Sequence, residues 1–155
     1  MRFPRLFSAA GLLASALPLA ALPVPPPPPV IATAEIAPSK TSVLLAGVSL
    51  AVPTLTHSGA EFISTYTVTV FPFFFFNEDG RFHVQLPDAD LARLARGEPV
   101  DFVGQAVRTD GAGRLVQGRA MPSGPMEGQV KIRVFYTRHI VLVFNTTYKL
   151  MGPIK

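Results

Sequence analysis

Residues 64–86 read STYTVTVFPFFFFNEDGRFHVQL, and the reading of this stretch decides the fold. Tyr66, Val68 and Val70 share one parity and Thr65, Thr67 and Thr69 the other. That is the period of a pleated strand, built from residues that suit one. Pro72 interrupts the ladder, since it has no N–H to donate. Phe73 to Phe76 prolong the apolar run, and Asn77–Glu78–Asp79–Gly80 reads as a turn. Phe82, Val84 and Leu86 then point one way while Arg81, His83 and Gln85 point the other. The stretch predicts a hairpin around which the rest of the chain folds.

Six of the twelve phenylalanines lie in this hairpin. Consecutive phenylalanines in a strand send rings to both faces, and burying one ring is worth about 2 kcal/mol. The run therefore favours a place covered on both sides. The alternatives are a kink at Pro72 that swaps the faces, or two exposed rings forming a patch of roughly 400 Å². Phe71, Phe73, Phe74, Phe75 and Phe76 are accordingly the candidate contacts for an apolar ligand or a protein partner.

Outward from the hairpin the chain continues as strands and turns. Residues 41–52 (TSVLLAGVSLAV) predict one apolar strand with Gly47 in its middle, stopped by Pro53 and followed by a turn at His57–Ser58–Gly59. Residues 87–97 predict a short helix, with Asp88 as N-cap, Leu91 and Leu94 as its apolar stripe and Gly97 just past its end. So short a helix must dock on the sheet, as a lid over one end. Residues 100–108 and 114–121 predict strands joined through Asp110–Gly111, with Gly104 and Gly118 marking bulges or close backbone contact. Residues 129–136 alternate with Val130, Ile132, Val134 and Tyr136 inward, and 140–150 form a last strand, placed centrally because both its faces start apolar. About seven strands with one short helix predict an all-β domain, an antiparallel sandwich or a small barrel. An outer-membrane barrel is disfavoured, because ten-residue spans with aromatic girdles are missing.

The chain has 155 residues, 48% hydrophobic and only 15% charged, which suits a single packed domain, placed at 35–155. Residues 1–34 are set apart. A basic start, Met1 to Arg5, leads into the apolar run LFSAAGLLASALPLAAL at 6–22 and then small residues, the layout of a secretory signal peptide. Cleavage sites are available after Ala16, Ala21 or Ala34, and seven of the sixteen prolines fall between Pro18 and Pro29 as a stiff Pro-rich linker. The expected location is periplasmic or extracellular, with an N-terminal membrane anchor as the alternative. Membrane contact is expected only through such an uncleaved N-terminus.

The net charge of +4 falls to +2 without Arg2 and Arg5, leaving twelve basic against ten acidic residues scattered singly. Without a basic cluster, no nucleic-acid partner is expected. The absence of cysteine excludes disulfides, thiolate metal sites and a cysteine nucleophile. His57, His83 and His139 are isolated and read as solvated surface groups, so no metal site is expected. No nucleophile elbow or phosphate loop occurs, and a triad could be assembled only by free choice among Ser58, Ser123 and the histidines. Glu78 and Asp79 read as turn residues, Asp88 and Asp90 as helix-start residues, and Asp101 as a surface strand position. Asn145–Thr146–Thr147 matches a glycosylation pattern that is common by chance. No catalytic residue and no cofactor is assigned. The expectation is a non-enzymatic binding or structural module of the cell envelope or exterior; the alternative is a carrier of an apolar small molecule in a barrel or between sheets, which needs a cavity of roughly several hundred Å³.

Overall fold

The computed structural model describes residues 30–152, so the basic leader, the apolar run and the proline run lie outside the described residues. Within them, inward residues repeat at period two along every long strand: Phe62, Tyr66, Val68 and Val70 on one, Phe82 and Val84 on the next, Val130, Ile132 and Val134 further on. One buried parity and one exposed parity per strand describe a sheet with a single apolar face. Curling that face inward hides it.

The strands are β1 (Thr33–Ile36), β2 (Ser39–Val43), β3 (Ala46–Ala51), β4 (Leu55–Ser58), β5 (Glu61–Phe71), β6 (Glu78–Gln85), β7 (Val100–Arg108), β8 (Gly113–Gly124), β9 (Glu127–Phe135) and β10 (Val141–Met151). β1 and β2 run on as one stave along β10, tied across their break by Ala37 N–H to the Thr147 carbonyl (3.0 Å) and Ser39 Oγ to the Asn145 carbonyl (3.2 Å). β3 and β4 likewise share one edge of β5, at Gly47↔Phe71 to Ala51↔Thr67 and at Thr56↔Ile63 to Ser58↔Glu61. From β5 onward each strand pairs with the next, and β10 returns to β1 at Ala34↔Leu150. The result is a closed antiparallel barrel of eight staves. The sandwich alternative gives way to the barrel, and the count rises from about seven because residues 41–52 are a hairpin and not one strand. Its turn is Leu44–Leu45, between Val43 and Ala46.

The outer face carries Arg81, Asp101, Arg119, Lys131, Arg133 and Lys149, while the interior is filled by Phe62, Phe82, Phe102, Ile132 and Phe144. That is the inverse of a lipid-embedded barrel, whose outer face must be apolar. Gly104 sits where a Cβ would meet the His83 carbonyl, and Gly118 where it would meet the Phe102 ring, so both are sites of close contact as their positions inside strands suggested.

The helix α1 (Asp88–Ala95) joins β6 to β7 and closes one end of the barrel with Leu91 and Leu94, 5% and 2% exposed. Its N-cap is Pro87, without a side-chain bond, so Asp88 acts as a first-turn charge and not as the cap. At the other end Gly97 takes φ +83°, its N–H bonding the Leu94 carbonyl while Glu98 N–H bonds that of Arg93, a Schellman closure. The lid reading of this helix holds.

Candidate functional site: the open mouth of the barrel

With α1 on one end, the other end is framed by the β2–β3, β5–β6, β7–β8 and β9–β10 connections. The candidate residues of the phenylalanine run lie here, in a form unlike the expected one. β5 stops at Phe71, the Phe71–Pro72 peptide is cis, and Phe74–Phe76 make one 3-10 turn. Asn77 Oδ1 accepts a bond from Val70 N–H (2.8 Å), pinning the foot of the loop to the strand it left. Expected burial is overturned: Phe71 is 65% exposed, Phe74 58% and Phe75 77%. The rings pack on each other, with centroids 5.7 Å apart for Phe71–Phe74, 5.9 Å for Phe73–Phe75 and 4.5 Å for Phe75–Phe76. A barrel wall has one dry face, so a run with rings on both parities cannot bury them all.

Phe73 and Phe76 turn the other way and wall a cavity of about 310 Å³ that opens at the mouth. Val43, Ala46 and Val48 line one side, Val68, Val70 and Leu142 the floor, and Leu44, Leu45, Tyr136 and Ile140 the rim. Tyr136 is the single lining residue with a polar side-chain group. Among the described residues the deeper voids are small, about 20 Å³ under the floor and about 60 Å³ beneath α1. The apolar hollow of this barrel is therefore at the mouth and not along its axis.

Under the floor lies a cluster that the sequence reading missed. Glu78 is the first residue of β6, 7% exposed, and its parity with Gly80 and Phe82 aims it inward. Its Oε1 accepts from Tyr66 Oη (3.2 Å) and Arg114 Nε (3.1 Å), and its Oε2 from Arg114 Nη2 (2.8 Å), with Arg108 Nε 3.7 Å away. Arg114 spends Nη1 on the Tyr136 carbonyl (2.8 Å) and lies 3.9 Å from the Tyr136 ring centroid. Both carboxylate oxygens are thus engaged, by Tyr66 and Arg114. Glu78 is a core ion-pair partner and not a turn residue.

Burial, reinforced by the Glu78 charge, pushes the Tyr66 phenol well above its ordinary value, and burial alone pushes Tyr148 up. The bond to Glu78 holds the Arg114 guanidinium in its charged form. A folded pKa above the unfolded value of 10.0 means stability that is complete below pH 10 and lost as pH rises past it. Urea unfolding is expected to show a fall in stability from about pH 10 upward, and Tyr148→Phe should lose part of that slope while leaving neutral-pH stability near wild type. A slope unchanged by Tyr148→Phe would exclude this phenol as its source.

The other candidates are dispersed. His57 is not solvated: its side chain is 14% exposed, stacks on Phe62 at 4.7 Å, and lies 3.8 Å from Asp88, with Nε2 lacking a hydrogen-bond partner among the described residues. His83 stands 3.9 Å from Glu61 on the outer wall, and His139 is exposed in the β9–β10 loop. Asp101 is an outer-face partner of Arg119 at 3.5 Å. Among the described residues no three His, Asp or Glu gather as metal ligands would, and neither Ser58 nor Ser123 has a histidine bonded to it. Comparison with family models, curated proteins and solved structures finds no match for the chain.

Proposed function

We propose that this protein is an exported, non-enzymatic binding barrel that holds an apolar small molecule in its open mouth. The observation that carries the reading is the cavity of about 310 Å³ walled by aliphatic and phenylalanine side chains with Tyr136 at its rim, over an apolar floor of Val68, Val70 and Leu142. Its size is at the lower end for small-molecule sites, and its chemistry selects against ligands that need hydrogen bonds. Export rests on the basic, apolar and small-residue layout of residues 1–34. Cleavage after Ala16 or Ala21 suits the barrel, because a cut after Ala34 would remove Ile31 and Ala34 (4% and 8% exposed) and half of β1.

The test is a titration with the apolar dye N-phenyl-1-naphthylamine in solution, without vesicles. Saturable emission, competed away by a long-chain alkane or alcohol, is the expected result. Native mass spectrometry of protein purified from its source should show an added apolar mass. A linear, non-saturable titration together with a bare mass would end the reading.

A further inference from the structure

We infer that the mouth end of the barrel docks on a phospholipid surface. Leu44 and Leu45 form the two-residue tip between β2 and β3 and are 96% and 90% exposed. Leu44 adopts φ +53°, a left-handed position that hairpin tips normally give to Gly, Asn or Asp. Neither leucine gains burial in the free protein, and one is held in a conformation unfavourable to it. An apolar medium outside the protein would offset both.

The same end presents Phe71, Phe74 and Phe75, which lie outside the cavity walls, and Val141, 39% exposed. These tips stand on three separate loops around a hollow, so they offer no flat face to a protein partner. They fit a medium that closes around each tip, as the headgroup and acyl boundary does.

Charge points the same way. The three apolar connections, residues 44–45, 71–77 and 136–141, contain no acidic residue and carry the exposed Arg138 and His139. Arg138 has no acidic partner among the described residues. The acids of this end lie off these connections: Glu78 is buried against Arg114, Asp110 pairs with Arg108 (3.2 Å), and Asp79, exposed and charged, accepts from Thr109 Oγ1 (2.8 Å) at the start of the β7–β8 connection. The part of the rim formed by these three connections is apolar and basic, and it complements an anionic lipid surface. Docking there would place the cavity opening against the bilayer, so an apolar ligand could pass between them without crossing water. Only that consequence rests on the reading of the cavity as a binding site; the docking does not. Membrane contact is then not confined to the N-terminus.

The chain has no cysteine, so a Leu45→Cys variant of the full chain takes a single nitrobenzoxadiazole label. An Ala60→Cys label, at the end closed by α1, is the control and shares the same N-terminal segment. On adding phosphatidylcholine–phosphatidylglycerol vesicles, the label at position 45 is expected to brighten several-fold, shift to the blue and be quenched by acyl-chain nitroxides. The label at position 60 should do none of these. Arg138→Gln should weaken binding to anionic vesicles about fivefold. No change at position 45 overturns the inference, and so does a change without vesicles that grows with protein concentration, which would mean that the rim pairs two copies. Lipid insertion with a non-saturable dye titration removes the cavity reading alone; saturable dye binding without insertion removes the docking alone.

Discussion

Replacing Glu78 by alanine is expected to cost about 3–5 kcal/mol, the largest loss of any polar substitution in the chain. The side chain is 4% exposed and its principal partner Arg114 is 13% exposed, so neither charge is bathed in water. Removing the carboxylate strands Arg114 in the barrel, leaves Tyr66 Oη without its acceptor, and sets Arg108 close to Arg114 with no anion between them. A domain of this size has only about 5–15 kcal/mol of stability in total, so the variant should be largely unfolded at modest urea. The double variant Glu78→Leu, Arg114→Leu should recover much of the loss, because no unpaired buried charge is left. Urea midpoints of the wild type, both singles and the double complete the cycle. A Glu78→Ala variant within about 1 kcal/mol of wild type would mean that water reaches the cluster and screens it as it does a surface pair.

That cluster also shows how far the sequence could be read. Inward parity is plain at Phe82, Val84 and Leu86, and stepping back by twos reaches Gly80 and Glu78. The same step along β7 from Phe102 reaches Arg108, and along β8 from Ala120 reaches Arg114. Three charges are thus legible as inward-facing. What hides Glu78 is that Asn77–Glu78–Asp79–Gly80 has the composition of a turn, a signal that competes with the period. The actual connection lies one step earlier, in the phenylalanines themselves.

Leu44–Leu45 carried no signal of either kind. A hairpin tip without Gly, Asn, Asp or Pro inside a twelve-residue apolar run reads as one strand, and only the pairing of Val43 with Ala46 reveals the turn. Closure was illegible for a different reason. It depends on residues 33–36 meeting residues 148–151, a register set by tertiary packing across nearly the whole described chain, and the small residues at the start of β1 read as the end of the leader. The burial expected for Phe73 to Phe76 failed on architecture: it needs a layer on each side of the strand, and a barrel has only one dry side.

Ala46→Phe should separate the cavity from the fold by moving stability and binding in opposite directions. Ala46 is partly buried at the start of β3 and lines the cavity of about 310 Å³ beside Val48 and Val70. A phenylalanine there has room for its ring without displacing a neighbour already in place, unlike an enlargement deep in the barrel, where the voids are about 20 and 60 Å³. Filling an apolar hollow commonly adds about 0.5–2 kcal/mol, so the urea midpoint should rise. The same ring occupies the ligand's place, and affinity for N-phenyl-1-naphthylamine should fall at least about tenfold, the loss expected when roughly 1.4 kcal/mol or more of apolar contact is forfeited. Ala120→Phe, beneath α1, is the contrasting case: overpacking there should cost about 1–3 kcal/mol and leave dye affinity unchanged in the folded fraction. Undiminished dye affinity in Ala46→Phe, with the midpoint raised, would place the dye outside the mouth and leave the cavity without a ligand.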